Sequence, residues 1–440
     1  MSDILKEENS HQDNLVQKWK PILEDTDLGP AITNIHMKRS MAVMLENTST
    51  NNERSIGILN EAAPTNNTTG FAGWDPILIG MVRRGQPQMI AYDLAGVQPM
   101  TGPTGLAFAL TANYNTQGGA EALFQNVDTA HTGTGTHNLS DPFAAAVSTG
   151  TGKSTTDLEA LGVDNANDPW PEMAMEIKRK TVTAKGRALK AQWSVESAHD
   201  LSVLHGLDAE TELASILSTE LIQEQNQEFI RTINAAAKVG AQNLTVAGEI
   251  DIVADSSGRW EQERWAKLYY HLANEASVIG RETRRGRGNW ILTTAPVAHA
   301  LQQAGRLSTN VGKFKNDNLN VDETTNTFVG ILDGQYKVYI DPFFVSSPDT
   351  GAGEEAYDYM TVGYKGSTPY DAGIFYCPYV PMELYRAIGE NSFQPRIGFK
   401  TRYGITANPL HDVPNAVADN TGLANDNYYF RKMKVRNISG

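Results

Sequence analysis

The longest helical pattern in the chain begins near Asp208 and ends near Gly240, and it constrains the fold more than any other segment. Its apolar positions recur every three or four residues, with Glu and Gln on the opposite side. These positions are Leu213, Ile216, Leu217, Leu221, Phe229, Ile230 and Ile233. Asp208 can cap such a helix and Gly240 can end it. About 30 residues span about 45 Å, and a soluble domain keeps a helix of that length mainly when a large sheet packs along it.

The remainder of the second half alternates between strand and helix patterns. A second helix is predicted from about Glu261 to Ile279, with large apolar residues on one face. Residues 290–400 contain runs such as "GQYKVYIDPFF" and "AGIFYCPYVPMELYRAI", which are typical of strands. A long helix, a second helix and a set of strands together predict the α+β class.

Charge and composition exclude several classes of function. The 440 residues carry a formal net charge of −14, which argues against a general nucleic-acid binder or a protein of the membrane surface. The longest apolar run, "PILIGMV", is far shorter than the roughly 20 residues of a membrane helix, so no membrane span is predicted. The first twenty residues lack the apolar core of a signal peptide, so we expect the chain to start in a cytoplasm.

The single cysteine, Cys377, rules out an internal disulfide framework and a thiolate zinc site. It lies in an apolar run, where an inert buried thiol is the expected state. The nine histidines are scattered, and the pair His131 and His137 has no carboxylate or cysteine arranged around it as a metal shell. The only feature that favours a secreted glycoprotein is the presence of N-glycosylation sequons, for example at Asn67. We therefore predict no catalytic residue, no metal and no cofactor.

One stretch tests that prediction, the run "VSTGTGKSTT" from Val147 to Thr156. Gly152, Lys153 and Ser154 match the second half of a phosphate-binding loop, but Val147 stands where the first glycine is needed. No buried strand precedes the run and no full helix follows it. A Gly/Thr-rich loop is the favoured interpretation, and a nucleotide-binding enzyme is kept as a remote alternative.

A densely basic segment runs from Met173 to Val195 and alternates in the manner of a strand, which predicts a two-stranded ribbon. Its basic residues are Lys178, Arg179, Lys180, Lys185, Arg187 and Lys190. From the residues alone, two interpretations stay open. The ribbon is either a protruding arm that docks on acidic neighbours or an ordinary solvated hairpin.

Residues 1 to about 61 form a separate, charged and mostly helical segment, since Leu15, Trp19, Ile22 and Leu23 recur at helical spacing. The run "NEAAPTNNTTGFAG" that follows, residues 60–73, is rich in Pro, Asn, Thr and Gly, which predicts a protease-accessible linker. The alternative is a permanent N-terminal domain on a linker.

Three long stretches resemble the major capsid proteins of T4-type tailed bacteriophages. They are "LAGVQPMTGPTGLAFAL" from Leu94, "TVTAKGRALKAQWSVESAHDLSVLHGLDAETELASILSTEL" from Thr181, and "AGIFYCPYVP" together with "FQPRIGFKTRYGI" between Ala372 and Ile405. The resemblance covers most of residues 60–410. It implies the HK97-like capsid fold, with an N-terminal arm, an extended E-loop, a peripheral domain carrying a long spine helix, and an axial domain.

The resemblance also implies a division of the chain. The E-loop strands are expected near residues 97–114 and 173–197. The expected parts are a cleavable propeptide at 1–61, the arm at 62–95, the E-loop at 96–200 with a Gly/Thr-rich insertion at 115–170, the peripheral domain at 201–280, the axial domain at 281–400, and a C-terminal segment returning to the core at 401–440.

The function implied is a major capsid protein that self-assembles into the head shell and encloses DNA as cargo, with the vertex protein of the same phages as the alternative. A prohead protease of this family cuts after Glu in a pattern that Leu59, Glu61 and Ala62 match. The implied partners are further copies in hexameric capsomers, vertex and scaffolding proteins, the protease, decoration proteins and a host chaperonin. The implied locations are the host cytoplasm during assembly and then the virion. Candidate inter-subunit contacts are Lys178, Arg179, Lys185, Arg187 and Lys190.

Overall fold

The fold is seen in a computed structural model that describes most of the chain, with the backbone alone for residues 2–10, 49–59, 109–110, 307–308 and 327. The described residues are 2–24, 32, 34–59, 89–120, 122, 127–136, 150–162, 170–244, 246–254, 260–304, 307–308, 327–344, 357–368, 370–389, 393–409 and 424–438.

Two consecutive helices, α1 (Ser2–Leu23) and α2 (Ile35–Leu59), pack against each other as a helical hairpin at the start of the chain. Asn34 begins α2, because its side-chain oxygen accepts a hydrogen bond from the His36 amide at 3.0 Å. The hairpin has its own apolar core, made by Trp19, Leu23, Ile32, Met41, Ala42, Met44 and Leu45. A mostly helical segment was predicted here, and the core shows that the two helices pack as a unit.

The long helix predicted from Asp208 is α6, which spans Ala209–Ala236. Asp208 caps it as predicted, accepting a hydrogen bond from the Glu210 amide at 3.4 Å. The helix does not continue to Gly240, because Ala237–Val239 leaves the helical path and forms the short strand β5 beside the C-terminal strand. Ile216, which was predicted within the apolar stripe, is 62% exposed, since it lies off the face that Leu217 buries.

An eight-stranded sheet contains the C-terminal strand β14 (Asn427–Arg436), and its main path has the order β5-β14-β11-β7-β10-β9-β8, with β6 also paired to β14. Helices α7 (Glu261–Thr283) and α8 (Ala295–Gln303) pack on it, so α7 ends four residues beyond the predicted Ile279. The remaining strands are β6 (Glu249–Asp251), β7 (Trp290–Thr293), β8 (Leu307–Ser308), β9 (Thr327–Leu332), β10 (Tyr336–Ile340) and β11 (Tyr357–Gly363).

A second, four-stranded sheet has the order β1-β12-β13-β4. Its strands are β1 (Gly96–Val97), β12 (Ile374–Ile388), β13 (Pro395–Ala407) and β4 (Lys185–Gln192). Helix α6 contacts β4 and β13, and its Leu221 and Phe229 share a core cluster with Phe399. The long helix therefore does lie against a sheet, and the α+β class is confirmed.

A two-stranded ribbon is made by β2 (Thr104–Tyr114) and β3 (Met173–Thr183), which pair antiparallel from Thr104 opposite Thr183 to Tyr114 opposite Met173. The prediction that residues 173–195 form a two-stranded ribbon by themselves is wrong, because β3 pairs with β2, and the E-loop strand expected near 173–197 ends at Thr183. The Ala184 amide closes the ribbon on the Pro103 carbonyl at 2.8 Å, and β4 then joins β13 in the four-stranded sheet.

Three short helices complete the described part: α3 (Ala91–Leu94), α4 (Thr155–Ala160) and α5 (Val195–His205). Gly206 ends α5 with a positive φ of 67°, the left-handed conformation that glycine adopts without strain. Across the described residues, no helix combines the length and the apolar character needed to cross a bilayer.

Candidate assembly interface

One face of the ribbon is apolar and uncovered. Leu106 and Phe108 on β2 and Met173, Met175 and Ile177 on β3 are each between 48% and 59% exposed. The register places Phe108 opposite Arg179 and Leu106 opposite Thr181, so these side chains share one side of the pleat. Contiguous exposed apolar surface of this kind marks a site of protein contact.

The other face of the ribbon holds it to the body. Ala107 and Val182 are buried in a cluster with Phe375 and Cys377 of β12. The approach is close, since a Cβ on Gly404 of β13 would lie 2.5 Å from the Val182 Cγ1 atom. Strand alternation therefore gives the ribbon one anchored face and one apolar face turned away from the chain's own core.

The structure separates the basic residues that the sequence groups together. Arg179 is exposed on the apolar face beside Phe108, whereas Lys178 lies half-buried on the opposite face. Lys185 and Lys190 are exposed on β4, an edge strand of the four-stranded sheet. An inter-subunit role for each of them stays a prediction, and only Arg179 lies within the exposed apolar face.

Arg187 is occupied within the chain. Its guanidinium donates to Glu224 at 2.7 Å, to Glu228 at 2.5 Å and to the Tyr403 hydroxyl at 2.7 Å. Burial and the neighbouring Glu228 raise the pKa of Tyr403, so the phenol keeps its proton. The cluster ties β4 and β13 to the long helix, and an additional contact of Arg187 with another subunit stays a prediction.

Helix α5 presents a second uncovered apolar surface, which was not predicted from the sequence. No residue of this helix is buried, and Val195, Val203, Leu204 and the following Leu207 are strongly exposed. The sequence signal was weak, because the helix is short and its apolar residues do not form a regular stripe. Glu196 and Asp200 lie on the same helix and give it acidic character.

Only the first of the three residues of the predicted cleavage site is described. Leu59 is the last residue of α2, and Glu61 and Ala62 fall outside the described residues, as does most of the predicted linker. The structure therefore places the end of the helical hairpin two residues before the predicted scissile glutamate.

The geometry around Gly152, Lys153 and Ser154 does not support the alternative of a phosphate-binding loop. The Ser154 hydroxyl accepts a hydrogen bond from the Asp157 amide at 3.2 Å, and the Asp157 carboxylate accepts one from the Ser154 amide at 3.4 Å. This capping box uses the hydroxyl that a bound magnesium ion would need. Helix α4 has six residues, none of them buried, and Val147 lies outside the described residues.

Only one histidine of the pair in the insertion lies within the described residues. His131 packs on the Tyr114 ring with centroids 4.3 Å apart and contacts the Glu172 carbonyl at 3.1 Å, while His137 lies outside the described residues. In the part of the chain that the structure describes, no group of three His, Cys, Asp or Glu residues could hold a metal ion.

Cys377 is buried, and burial raises the pKa of its thiol to about 12. Because the thiolate is the reactive form, we expect Ellman's reagent to modify the folded chain roughly a thousandfold more slowly than the urea-unfolded chain at pH 8. The unfolded chain is the control for reagent quality. Reaction of the folded chain within minutes would contradict this prediction.

Comparison with known proteins defines the class. The sequence profile of the family described as "Major capsid protein Gp23" matches residues 71–435. The major capsid protein of Salmonella phage ViI is 37% identical, over 96% of this chain and 97% of that protein. The major capsid protein of Enterobacteria phage T4 is 30% identical, over 96% of this chain and 98% of that protein. The molecule is a structural protein of a phage capsid.

More particularly, the chain belongs to the Gp23 family of major capsid proteins of T4-type phages, and its role is to form the shell of the virion. The capsid vertex protein of phage T4 is 24% identical over only 56% of this chain and 55% of that protein, so the major capsid prediction is confirmed over its alternative. Among solved structures, the chain is similar to "The capsid of Myoviridae Phage XM1", with a TM-score of 0.38 and 9% identity over 79% of this chain and 92% of that one. Membership of the family supports the HK97-like fold.

Proposed function

We propose that this chain builds the head shell as hexameric capsomers, and that the apolar face of the ribbon is the surface by which each copy contacts its neighbours. The observation that carries the proposal is the ribbon itself: one face is anchored by Ala107 and Val182, and the other exposes Phe108 and Ile177. Arg179 adds positive charge to that face, and the acidic, apolar helix α5 is complementary to it. Repeated around a closed shell, modest contacts sum to a large binding energy.

We further propose that the prohead protease removes residues 1–61 by cutting after Glu61. The pattern at Leu59, Glu61 and Ala62 supports this site. The competing glutamates at 7, 24 and 224 are not followed by a small residue, and Glu224 in addition lies inside α6 in contact with Arg187. Proteolysis requires a backbone that can leave its helix, so folded triplets are poor substrates.

The other partners follow from the same proposal. A scaffolding protein and the protease act on the precursor in the host cytoplasm, vertex and decoration proteins complete the shell, and a host chaperonin assists folding of a chain with many long-range strand pairings. DNA is enclosed as cargo, which suits a chain with a net charge of −14. No covalent chemistry by this chain is needed for any of these steps.

The cleavage proposal is tested by intact mass and N-terminal peptide mass spectrometry on purified mature particles. We expect the chain to begin at Ala62, and we expect Glu61→Gln to leave residues 1–61 attached. The matched control is Glu7→Gln, which alters another Leu-x-Glu triplet and should be processed normally. A wild-type chain that still begins at residue 1 or 2 in mature particles would overturn the proposed cleavage.

A further inference from the structure

Helix α2 contacts the body of the protein through a face distinct from the one that packs on α1. His36, Ser40, Val43 and Asn47 are spaced by four, three and four residues, so they share one side of the helix. Ser40 and Val43 are buried, and His36 and Asn47 are half-buried. The contact places α2 against β1 and β12 of the four-stranded sheet.

Within that contact, Asn47 lies where the parallel hydrogen-bond ladder between β1 and β12 ends. Beyond the β1–β12 pairs, the Met100 amide still donates to the Pro378 carbonyl at 2.9 Å. At the next step, the Asn47 side-chain amide donates to the Met100 carbonyl at 2.8 Å and to the Tyr379 carbonyl at 3.0 Å. An asparagine amide has two N–H donors, and here both are used, one for each strand.

Met100 is also the root of the ribbon. It is buried in the cluster that anchors Ala107 and Val182, and β2 begins four residues later at Thr104. A Cβ on Gly105 would lie 2.8 Å from the Met100 sulfur, so the first residues of β2 pack directly against the Met100 side chain. Any group that holds the Met100 backbone therefore holds the point from which the ribbon leaves the body.

The hairpin uses different kinds of contact within itself and with the body. Its internal contact is apolar and includes Trp19, Leu23 and Met44. Its contact with the body is mixed, since polar side chains such as Asn47 lie beside Val43 on that side of α2. Each hydrogen bond in such a contact contributes only about 1 kcal/mol net. Such a contact holds while the hairpin is tethered at a high effective concentration and dissociates once the tether is cut.

We propose that the α1–α2 hairpin is a removable clamp on the root of the ribbon, with Asn47 joining Met100 of the ribbon root to Tyr379 of the sheet. Removal of the clamp rests on the proposed cleavage after Glu61. Its loss frees two carbonyls and leaves the root of the ribbon held by the Met100–Pro378 hydrogen bond and the buried contact of Ala107 and Val182, so the root opens more easily. The surface around Met100 and Tyr379 is thus a docking site for a helix of this same chain.

The clamp is tested by hydrogen exchange with mass spectrometry on the uncleaved, unassembled full chain. In Asn47→Ala, we expect the amides of Gln98 and Met100 to exchange about five- to thirtyfold faster, the factor that corresponds to losing one or two net hydrogen bonds of about 1 kcal/mol each. Asn47→Asp should accelerate them further, because a carboxylate repels both carbonyls. The matched control is Asn14→Ala, an exposed asparagine on α1, which should exchange like the wild type.

Two outcomes would overturn the clamp. One is unchanged exchange at Gln98 and Met100 in both Asn47 variants. The other is faster exchange that extends equally to α6, since Asn47 would then support the whole fold instead of the ribbon root. These results are obtained without cleavage, so they are separate from the mass-spectrometric test at Ala62. After cleavage in particles, the same two amides should exchange as fast as in Asn47→Ala, and slow exchange there would refute removal of the clamp.

Discussion

Replacing Arg431 with methionine should lower the free energy of unfolding by about 3–5 kcal/mol, the cost of leaving buried charges without their partner. Arg431 lies on β14 and is 4% exposed. Its guanidinium is 2.6 Å from Glu282 and 3.5 Å from Glu275, both on α7. Without the Arg431 guanidinium, the carboxylates of Glu275 and Glu282 stay largely buried and lose this cation. Chemical denaturation of the unassembled chain measures the change.

Two further variants show whether burial is the cause. Arg386→Met breaks a 2.5 Å pair with Glu210 that is far more exposed, so we expect a loss below about 1 kcal/mol. Adding Glu275→Gln and Glu282→Gln to Arg431→Met should recover most of the lost stability, because neutral amides do not need the cation. Glutamine at 275 can still accept the Ala241 amide hydrogen bond. A loss of under 1 kcal/mol for Arg431→Met alone would contradict this account.

The long helix was predictable because its signal is local and repeated. Asp208 begins it as predicted, and Leu221 and Phe229 are buried as the apolar stripe requires. Its end was not predictable in the same way. Ala237 leaves the helix because residues 237–239 pair with β14, about 190 residues later in the chain, and no local pattern records a pairing of that range.

The ribbon shows a similar division between local and distant information. Alternation predicted strands on both sides of Ala184, and both are present as β3 and β4. Alternation does not say which strand each one pairs with, so β4 was assigned to the ribbon although it belongs to the four-stranded sheet. Arg187 was grouped with the other basic residues because its partners, Glu224 and Glu228, are distant in sequence.

The candidate interface was partly recoverable from the sequence. Met173, Met175 and Ile177 stand at every second position, and so do Leu106 and Phe108, which is the period of one strand face. The dense lysines and arginines on the same segment instead favoured an interpretation based on charge. Which apolar face is buried depends on what lies behind it, and only the fold shows that Phe375 and Cys377 cover the opposite side.

Phe108→Asp should abolish shell assembly while leaving the fold intact, with particle yield falling at least tenfold. Phe108 is 48% exposed in the isolated chain, so we expect the free energy of unfolding to change by less than about 1 kcal/mol. In a shell, burial of an aromatic side chain contributes about 1.5–3 kcal/mol at each contact. The same contact recurs at every copy, so the free-energy cost of burying a carboxylate is incurred at each contact of the shell.

Sedimentation and electron microscopy of lysates measure the yield of particles, and denaturation of the soluble chain measures its stability. Ile177→Asp, on the neighbouring strand of the same face, should have the same effect, whereas Phe108→Leu keeps the face apolar and should assemble normally. Particles formed by both aspartate variants at wild-type yield would show that the shell is held together by other surfaces. A loss of yield accompanied by a large loss of stability would assign Phe108 to the fold of the subunit instead of its interface.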